Sequence, residues 1–148
     1  VSPDFKDLLS AFNAHRVEHL VVGAHALAAH GYVRATGDLD VWTRPERANA
    51  RRVLDALESF GAPLQDLSEA DLTRAGTVFQ IGVAPIRIEV LTSIDGVDFE
   101  QAWGARMMAM FADLPVPVLS AGHLIANKRT VGRPQDLADI DWLEKNRR

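Results

Sequence analysis

The 148-residue chain contains no cysteine, which excludes disulfides, thiolate zinc sites and a cysteine nucleophile. That lack also agrees with a reducing compartment. Aromatic residues make up only 7% of the chain. Trp42, Trp103 and Trp142 are dispersed and read as core or interface residues rather than a base-stacking platform. Lysine is scarce: Lys6, Lys128 and Lys145 stand among 16 basic residues. The positive charge is therefore mostly arginine, whose planar fork suits phosphate. No apolar run reaches the ~18 residues of a membrane span, so no membrane association is expected. The stretch from Val1 to Asp7 lacks a basic-then-apolar signal pattern, and a cytoplasmic location is expected. Histidines are few, with no Ser–His–Asp set and no histidine-rich constellation for a metal-dependent hydrolase. A net charge of -4 argues against a whole-surface nucleic-acid binder.

What remains is an ordinary globular composition, 47% hydrophobic and 24% charged. A chain of this length is expected to form one domain over residues 1–148 and to bury roughly two-thirds of its unfolded surface. Apolar residues at Phe5, Leu8, Leu9 and Phe12 have helical spacing behind Ser2 and Pro3. His19 to Val22 reads as a short buried strand, followed by a turn at Gly23 and an alanine-rich helix stopped by Gly31. Asp38 to Trp42 alternates with period two and reads as a strand. Glu46 to Phe60 reads as an amphipathic helix with Ala48, Val53, Leu54, Leu57 and Phe60 inward. Asp66 to Thr73 reads as loop or short helix. Strands are expected at Thr77 to Val83 and Ile86 to Leu91 around Ala84-Pro85. A helical turn follows at Phe99 to Trp103, then a hairpin of Met107 to Phe111 and Val116 to Leu119. Ser120 caps a helix to about Thr130, and Pro134 begins a last helix to about Glu144. This order favours an α+β, or mixed α/β, domain with helices covering a short mixed sheet.

The chemistry is carried by acids. Asp38 and Asp40 lie two residues apart on a strand, so both carboxylates face one way while Leu39 and Val41 face the core. Adjacent carboxylates repel unless a cation compensates them, and magnesium suits one or two carboxylates plus phosphate oxygens. In Ile86-Arg87-Ile88-Glu89-Val90-Leu91 the apolar Ile86, Ile88 and Val90 share one face and Arg87, Glu89 and Leu91 the other. With the two strands adjacent, Glu89 joins the pair, and three such acids suit metal-assisted phosphoryl displacement. Upstream, Val21-Val22-Gly23-Ala24 places glycine between a strand and a helix start, where backbone amides can approach a phosphate.

Strand-Gly23-Ala24, a thirteen-residue spacer, Asp38-Leu39-Asp40-Val41, and Glu89 on a later strand resemble the nucleotidyltransferase domain of the DNA polymerase β superfamily. Further segments are similar to small bacterial nucleotidyltransferase proteins related to AbiEii-type toxins and MNT antitoxins. These are His30-Gly31, Arg34-Ala35-Thr36-Gly37, Arg87-Ile88-Glu89-Val90-Leu91-Thr92, and Asn127-Lys128-Arg129 through Gly132-Arg133-Pro134-Gln135-Asp136-Leu137-Ala138-Asp139. The resemblance covers about residues 5 to 143. It implies a nucleotidyltransferase fold with the C-terminal helices packed on the sheet. It implies magnesium and triphosphate binding by Asp38 and Asp40, with Glu89 as third ligand or base. Gly23 and the Ala24 backbone would cradle phosphates, and Arg34, Thr36 and Lys128 would contact the nucleotide. Ala24 stands where the family has glycine or serine, and Glu89 where many relatives have aspartate.

The expected activity is magnesium-dependent transfer of a nucleoside monophosphate from an NTP to an acceptor hydroxyl on a protein, an RNA end or a small molecule, with release of pyrophosphate. An RNA acceptor requires that Arg34, Arg44, Arg47, Arg51 and Arg52 make a basic face. The alternative is a weakly active or non-catalytic interaction module, such as an antitoxin-like partner of a toxin. His25 and His30 read as ordinary helix positions, with His25 a minor phosphate-contact candidate. Arg133 and Asp136 read as an ion pair or cap of the last helix. The methionines at 107, 108 and 110 form an apolar cluster whose exposed face could join two subunits as a homodimer.

Overall fold

The computed structural model describes residues 2–34, 37–83 and 86–147. Helix α1 (Pro3–Ala14) starts where the Ser2 hydroxyl accepts from the Asp4 amide and Pro3 fills the first turn. Its Phe5, Leu8, Leu9 and Phe12 are buried, as their spacing requires. Strand β1 (His19–Val22) runs into helix α2 (Gly23–Ala29), and strand β2 (Asp38–Thr43) into helix α3 (Arg47–Phe60). A 3₁₀ turn at Asp71–Thr73 precedes strands β3 (Val78–Val83) and β4 (Ile86–Leu91). Helix α4 (Phe99–Gly104) begins at an Asp98 cap and leads to strands β5 (Met107–Phe111) and β6 (Leu114–Val118). Helices α5 (Ala121–Val131), capped by Ser120, and α6 (Pro134–Asn146) end the chain's regular structure. The proposed turn at Ala84-Pro85 lies outside the described residues.

The six strands form one mixed sheet in the order β3-β4-β2-β1-β6-β5. β2 runs parallel to β4 and antiparallel to β1, and β6 runs parallel to β1. The β3–β4 and β5–β6 pairs are antiparallel hairpins at the two ends. Leu39 and Val41 of β2 and Val21 of β1 are fully buried on one face, where Phe12 of α1 meets His19 edge-on. On the opposite face Trp42 meets Phe99 of α4. The face that carries Asp38 and Asp40 is therefore plugged at its Trp42 end. Among the described residues no helix is long and apolar enough to cross a membrane.

Two inward assignments change. In α3 the buried positions are Asn49, Ala50, Val53, Ala56 and Leu57, whereas Ala48 is exposed. The stripe is rotated because the Asn49 amide is itself buried. Its Oδ1 accepts from the Glu18 amide at 2.8 Å, and its Nδ2 donates to the Glu18 and Arg44 carbonyls at 3.0 Å each. Ile86 is 48% exposed while Ile88 and Val90 are buried. It sits at the outer end of the β3–β4 hairpin, opposite Val83, past the packed core.

Candidate active site

The parallel pairing of β2 with β4 sets Asp38 opposite Arg87 and Asp40 opposite Glu89. Residues directly opposite on neighbouring strands share a face, so Asp38, Asp40, Arg87 and Glu89 form one polar patch over two strands. The sequence expectation that Glu89 joins the two aspartates is thus met in register. β1 supplies the third side: Val22 is opposite Asp40, which brings the following Gly23 against the Asp40 carboxylate. A Cβ built on Gly23 would lie 2.5 Å from Asp40 Oδ2, and Gly23 has φ +68°. Only glycine satisfies both the left-handed backbone and the close approach. The first amides of α2 carry no side-chain cap.

Crowding shapes the electrostatics. Burial, then the charges of Glu89 and Asp38, and a hydrogen bond with Glu89 push the Asp40 carboxyl up to about 7, against a smaller opposing pull from Arg87. Asp40 and Glu89 are thus close enough to share a proton. Asp40 Oδ1 is buried and has no hydrogen-bond partner. An orphaned buried carboxylate oxygen beside a second acid is the donor chemistry that a hard divalent cation satisfies, so these residues fit magnesium.

Arg87 was not assigned a role from the sequence, although its place two residues before Glu89 put it on the acid face. Its Nη2 donates to Asp38 Oδ2 at 2.9 Å, and its Nε lies 3.7 Å from Glu89 Oε1. The bond to Asp38 raises its own pKa further. Arg87 thereby lends the acids a positive charge. With Asp38 engaged by Arg87, no three His, Asp or Glu side chains among the described residues stand grouped to enclose a metal ion.

A second charged cluster lies at the C-terminal helices. Asp139 of α6 is fully buried and receives the Arg34 fork at 2.9 and 2.8 Å. It also receives Lys128 Nζ at 2.8 Å and Gln135 Nε2 at 3.0 Å. Burial alone would raise the Asp139 pKa, but these bonds outweigh it and hold the carboxyl below the ordinary range. Lys128 is itself buried and lies 3.5 Å from Asp136. Arg34 and Lys128, both named from the sequence as nucleotide contacts, are thus tied to Asp139. Asp139 lies three residues beyond Asp136 on the same side of one helix, but its partners Arg34 and Lys128 come from other segments.

Arg133 and Asp136 form the expected cap of α6. The Asp136 carboxylate accepts from the Arg133 amide at 3.1 Å and from its guanidinium at 2.7 Å. The guanidinium bond first, countered in part by burial, lowers the Asp136 pKa. His25 lies between the rings of Phe5 and Phe111. His30 bonds the Leu119 carbonyl at 2.9 Å. Thr36 lies outside the described residues. The arginines near α3 are largely matched by acids: Arg44 with Glu18 and Glu100, Arg47 with Glu69, and Arg51 with Asp55. These pairs neutralise part of the basic face that an RNA acceptor calls for, while Arg52 Nε is buried without a hydrogen-bond partner.

No family model and no curated protein matches the chain. Solved structures do. A Thermotoga maritima protein assigned as a nucleotidyltransferase aligns with 95% of this chain and 91% of its own, at TM-score 0.63 and 14% identity. The lincosamide antibiotic adenylyltransferase LnuA, solved with lincomycin bound, covers 99% and 98%, at TM-score 0.61 and 13% identity. The antibiotic-resistance factor ANT(2'')-Ia covers 96% and 81%, at TM-score 0.63 and 16% identity. It has also been solved with adenylyl-2''-tobramycin. Likeness over nearly the whole chain shows that this protein has the nucleotidyltransferase fold. Identities this low speak for the fold and not for the reaction.

Proposed function

We propose that the protein transfers a nucleoside monophosphate from an NTP to an acceptor hydroxyl. The observation that carries this reading is the pairing of Asp40 with Glu89, beside Asp38, against a Gly23 turn that admits no side chain. Asp40 and Glu89, joined by Asp38 once it is released from Arg87, are the residues that would hold magnesium. Once bound, magnesium neutralises charge on phosphoryl oxygens. Gly23 and Ala24 offer backbone amides to the phosphates, and Ala24 adds no hydroxyl of its own. Glu89 accepts the proton of the acceptor hydroxyl. The hydroxyl oxygen forms its bond to the α-phosphorus as the bond to pyrophosphate breaks, and pyrophosphate leaves with that electron pair. Arg34 and Lys128, held in place by Asp139, are the cations this reading assigns to the nucleotide, together with Thr36.

Of the solved structures this chain is similar to, one is by its description a lincosamide antibiotic adenylyltransferase with lincomycin bound, and one is in complex with adenylyl-2''-tobramycin. With Arg47 and Arg51 of α3 and the preceding Arg44 matched by acids, a small molecule or a protein side chain is the favoured acceptor class over an RNA end.

Calorimetry with magnesium and each NTP tests the reading, on the protein and on the Asp38→Ala/Asp40→Ala variant. Magnesium-dependent binding of at least one NTP, lost in the variant, is the expected result. Failure to bind any NTP would overturn it.

A second reading has its own observation. Arg87 already serves as counter-charge to Asp38 and Glu89, and Ala24 replaces the usual phosphate-contacting residue. A non-catalytic module, kin to the antitoxin-like proteins that the motif segments resemble, needs no more than this. Arg87→Ala separates the two. In the enzyme it strengthens magnesium binding by removing a competing cation, and in the module it leaves magnesium unbound and loosens the fold.

A further inference from the structure

We propose that β5 is a self-pairing edge, through which two copies of this chain join antiparallel about Ala109 into one continuous sheet. This rests on the backbone and the residues of β5 and is independent of the reaction proposed above.

β5 closes one end of the sheet order, with β6 as its only neighbour among the described residues. Edge strands expose unpaired N–H and C=O groups, and proteins blunt them with lysine, proline, bulges or a covering element. Met107-Met108-Ala109-Met110-Phe111 has neither lysine nor proline, and its register with β6 runs without a bulge. The opposite edge differs: β3 has Gly82 at φ +79°, a break in the regular strand. On β5, Met108 is 58% and Met110 63% exposed, and two-residue alternation sets both on the same side. All five residues of the strand line a groove with His25, Ala28 and Ala29 of α2.

The proline pattern on β6 selects the register. Met108 is opposite Pro117 and Met110 opposite Pro115, and proline has no N–H to give to a ladder. The β5–β6 bonds therefore run through Met107–Val118, Ala109–Val116 and Phe111–Leu114. In an antiparallel strand the alternate residues turn their backbone groups the other way, so Met108 and Met110 offer theirs outward. Pairing about a two-fold axis at Ala109 sets Met108 of one copy against Met110 of the other, each pair exchanging N–H and C=O. Such a contact is self-complementary and closes at two copies.

Charge favours the same direction. Arg106 precedes the strand, and Asp113 follows it on the surface, held by Lys6 at 2.7 Å. Antiparallel pairing brings Arg106 of one copy to the end that carries Asp113 of the second copy. Parallel pairing would set like against like.

The experiment is the mass in solution by light scattering over a range of concentrations, joined to a cross-link. The intact protein is expected at twice its 16.2 kDa, and Met108→Lys/Met110→Lys at the single-chain mass with an unchanged circular dichroism spectrum. The chain has no cysteine, so Ala109→Cys gives a clean second readout. On the axis, the two introduced thiols meet and oxidise to a disulfide-linked pair, while Ser10→Cys, exposed on α1, does not pair. A single-chain mass at all concentrations overturns the proposal. So does a dimer that survives the double lysine variant, or one in which Ala109→Cys fails to cross-link.

Discussion

Gly23 carries the narrowest requirement in the molecule. Its backbone is left-handed and its Cα lies against Asp40 Oδ2, so Gly23→Ala meets two penalties, conformational strain and a displaced carboxylate. The expected cost is about 1–3 kcal/mol of stability, read from urea unfolding, with loss of magnesium-dependent NTP binding. Asp40→Asn separates function from folding at the same spot. Replacing one of three crowded acids relieves repulsion, so in metal-free buffer the variant melts no lower than the parent while nucleotide binding is lost. A clear drop in its melting temperature would mean that Asp40 serves the fold instead. Asp38, Asp40 and Glu89 were legible in the sequence because each sits in a period-two strand whose alternate positions are apolar. Arg87 lay in plain view on the same face. What hid its role was the partner, Asp38, 49 residues away, reached only through strand pairing.

At the level of elements, local signals carried most of the assignments. Ser2 and Pro3 open α1, Ser120 opens α5 and Pro134 opens α6, each a cap or first-turn residue that acts within its own neighbourhood. The strand order was not legible, since nothing local in β1 announces that β2 and β6 will flank it. Nor was the burial of Asp139, because an acid is buried only when distant cations arrive, here Arg34 from 105 residues away and Lys128 from the preceding helix. That network joins α5 and α6 to the segment after α2. Removing its centre leaves two cations without their partner, one of them buried. Asp139→Ala is expected to cost roughly 3–5 kcal/mol in urea unfolding, the penalty of a broken buried ion pair. Asp141→Ala on the exposed face of the same helix, where Lys145 pairs with it at 2.9 Å, is expected to cost under about 1 kcal/mol. Equal effects of the two would remove Asp139 from its place as an anchor.

For the whole molecule, the balance between folded and unfolded chain shifts with pH through groups of opposite sign. Asp40, whose carboxyl is pushed up to about 7 by burial and by Glu89 and Asp38, takes up a proton in the folded chain before the unfolded chain does, and so adds stability as the pH falls from about 7 towards 4. In the Asp40→Asn variant that contribution is gone and two separate windows remain. His19 is 1% exposed in the core. Its Nδ1 is bonded to the Val17 carbonyl at 2.9 Å, and its Nε2 has no partner. Burial lowers its pKa to about 4, the Val17 bond opposing this weakly. The unfolded chain therefore takes up a proton at His19 below about pH 6.5, while the folded chain does not until about pH 4. Stability is full above the first value and drains away between the two, by roughly 2–3 kcal/mol at pH 4.5. Asp136 and Asp139, both held below the ordinary carboxylate range, act later: their contribution is present above about pH 4 and is lost as the pH falls through their lowered values. Urea titrations of Asp40→Asn at pH 7.5, 6, 5 and 4.5 resolve the first window. Added to Asp40→Asn, His19→Leu keeps the apolar contact with Phe12 and has nothing to protonate, so the stability of the double variant should stay nearly level from pH 7.5 to 4.5. The residual slope belongs to His25, whose pKa burial also lowers. A double variant that still loses as much stability as Asp40→Asn alone over that range would show that the first window does not originate at His19.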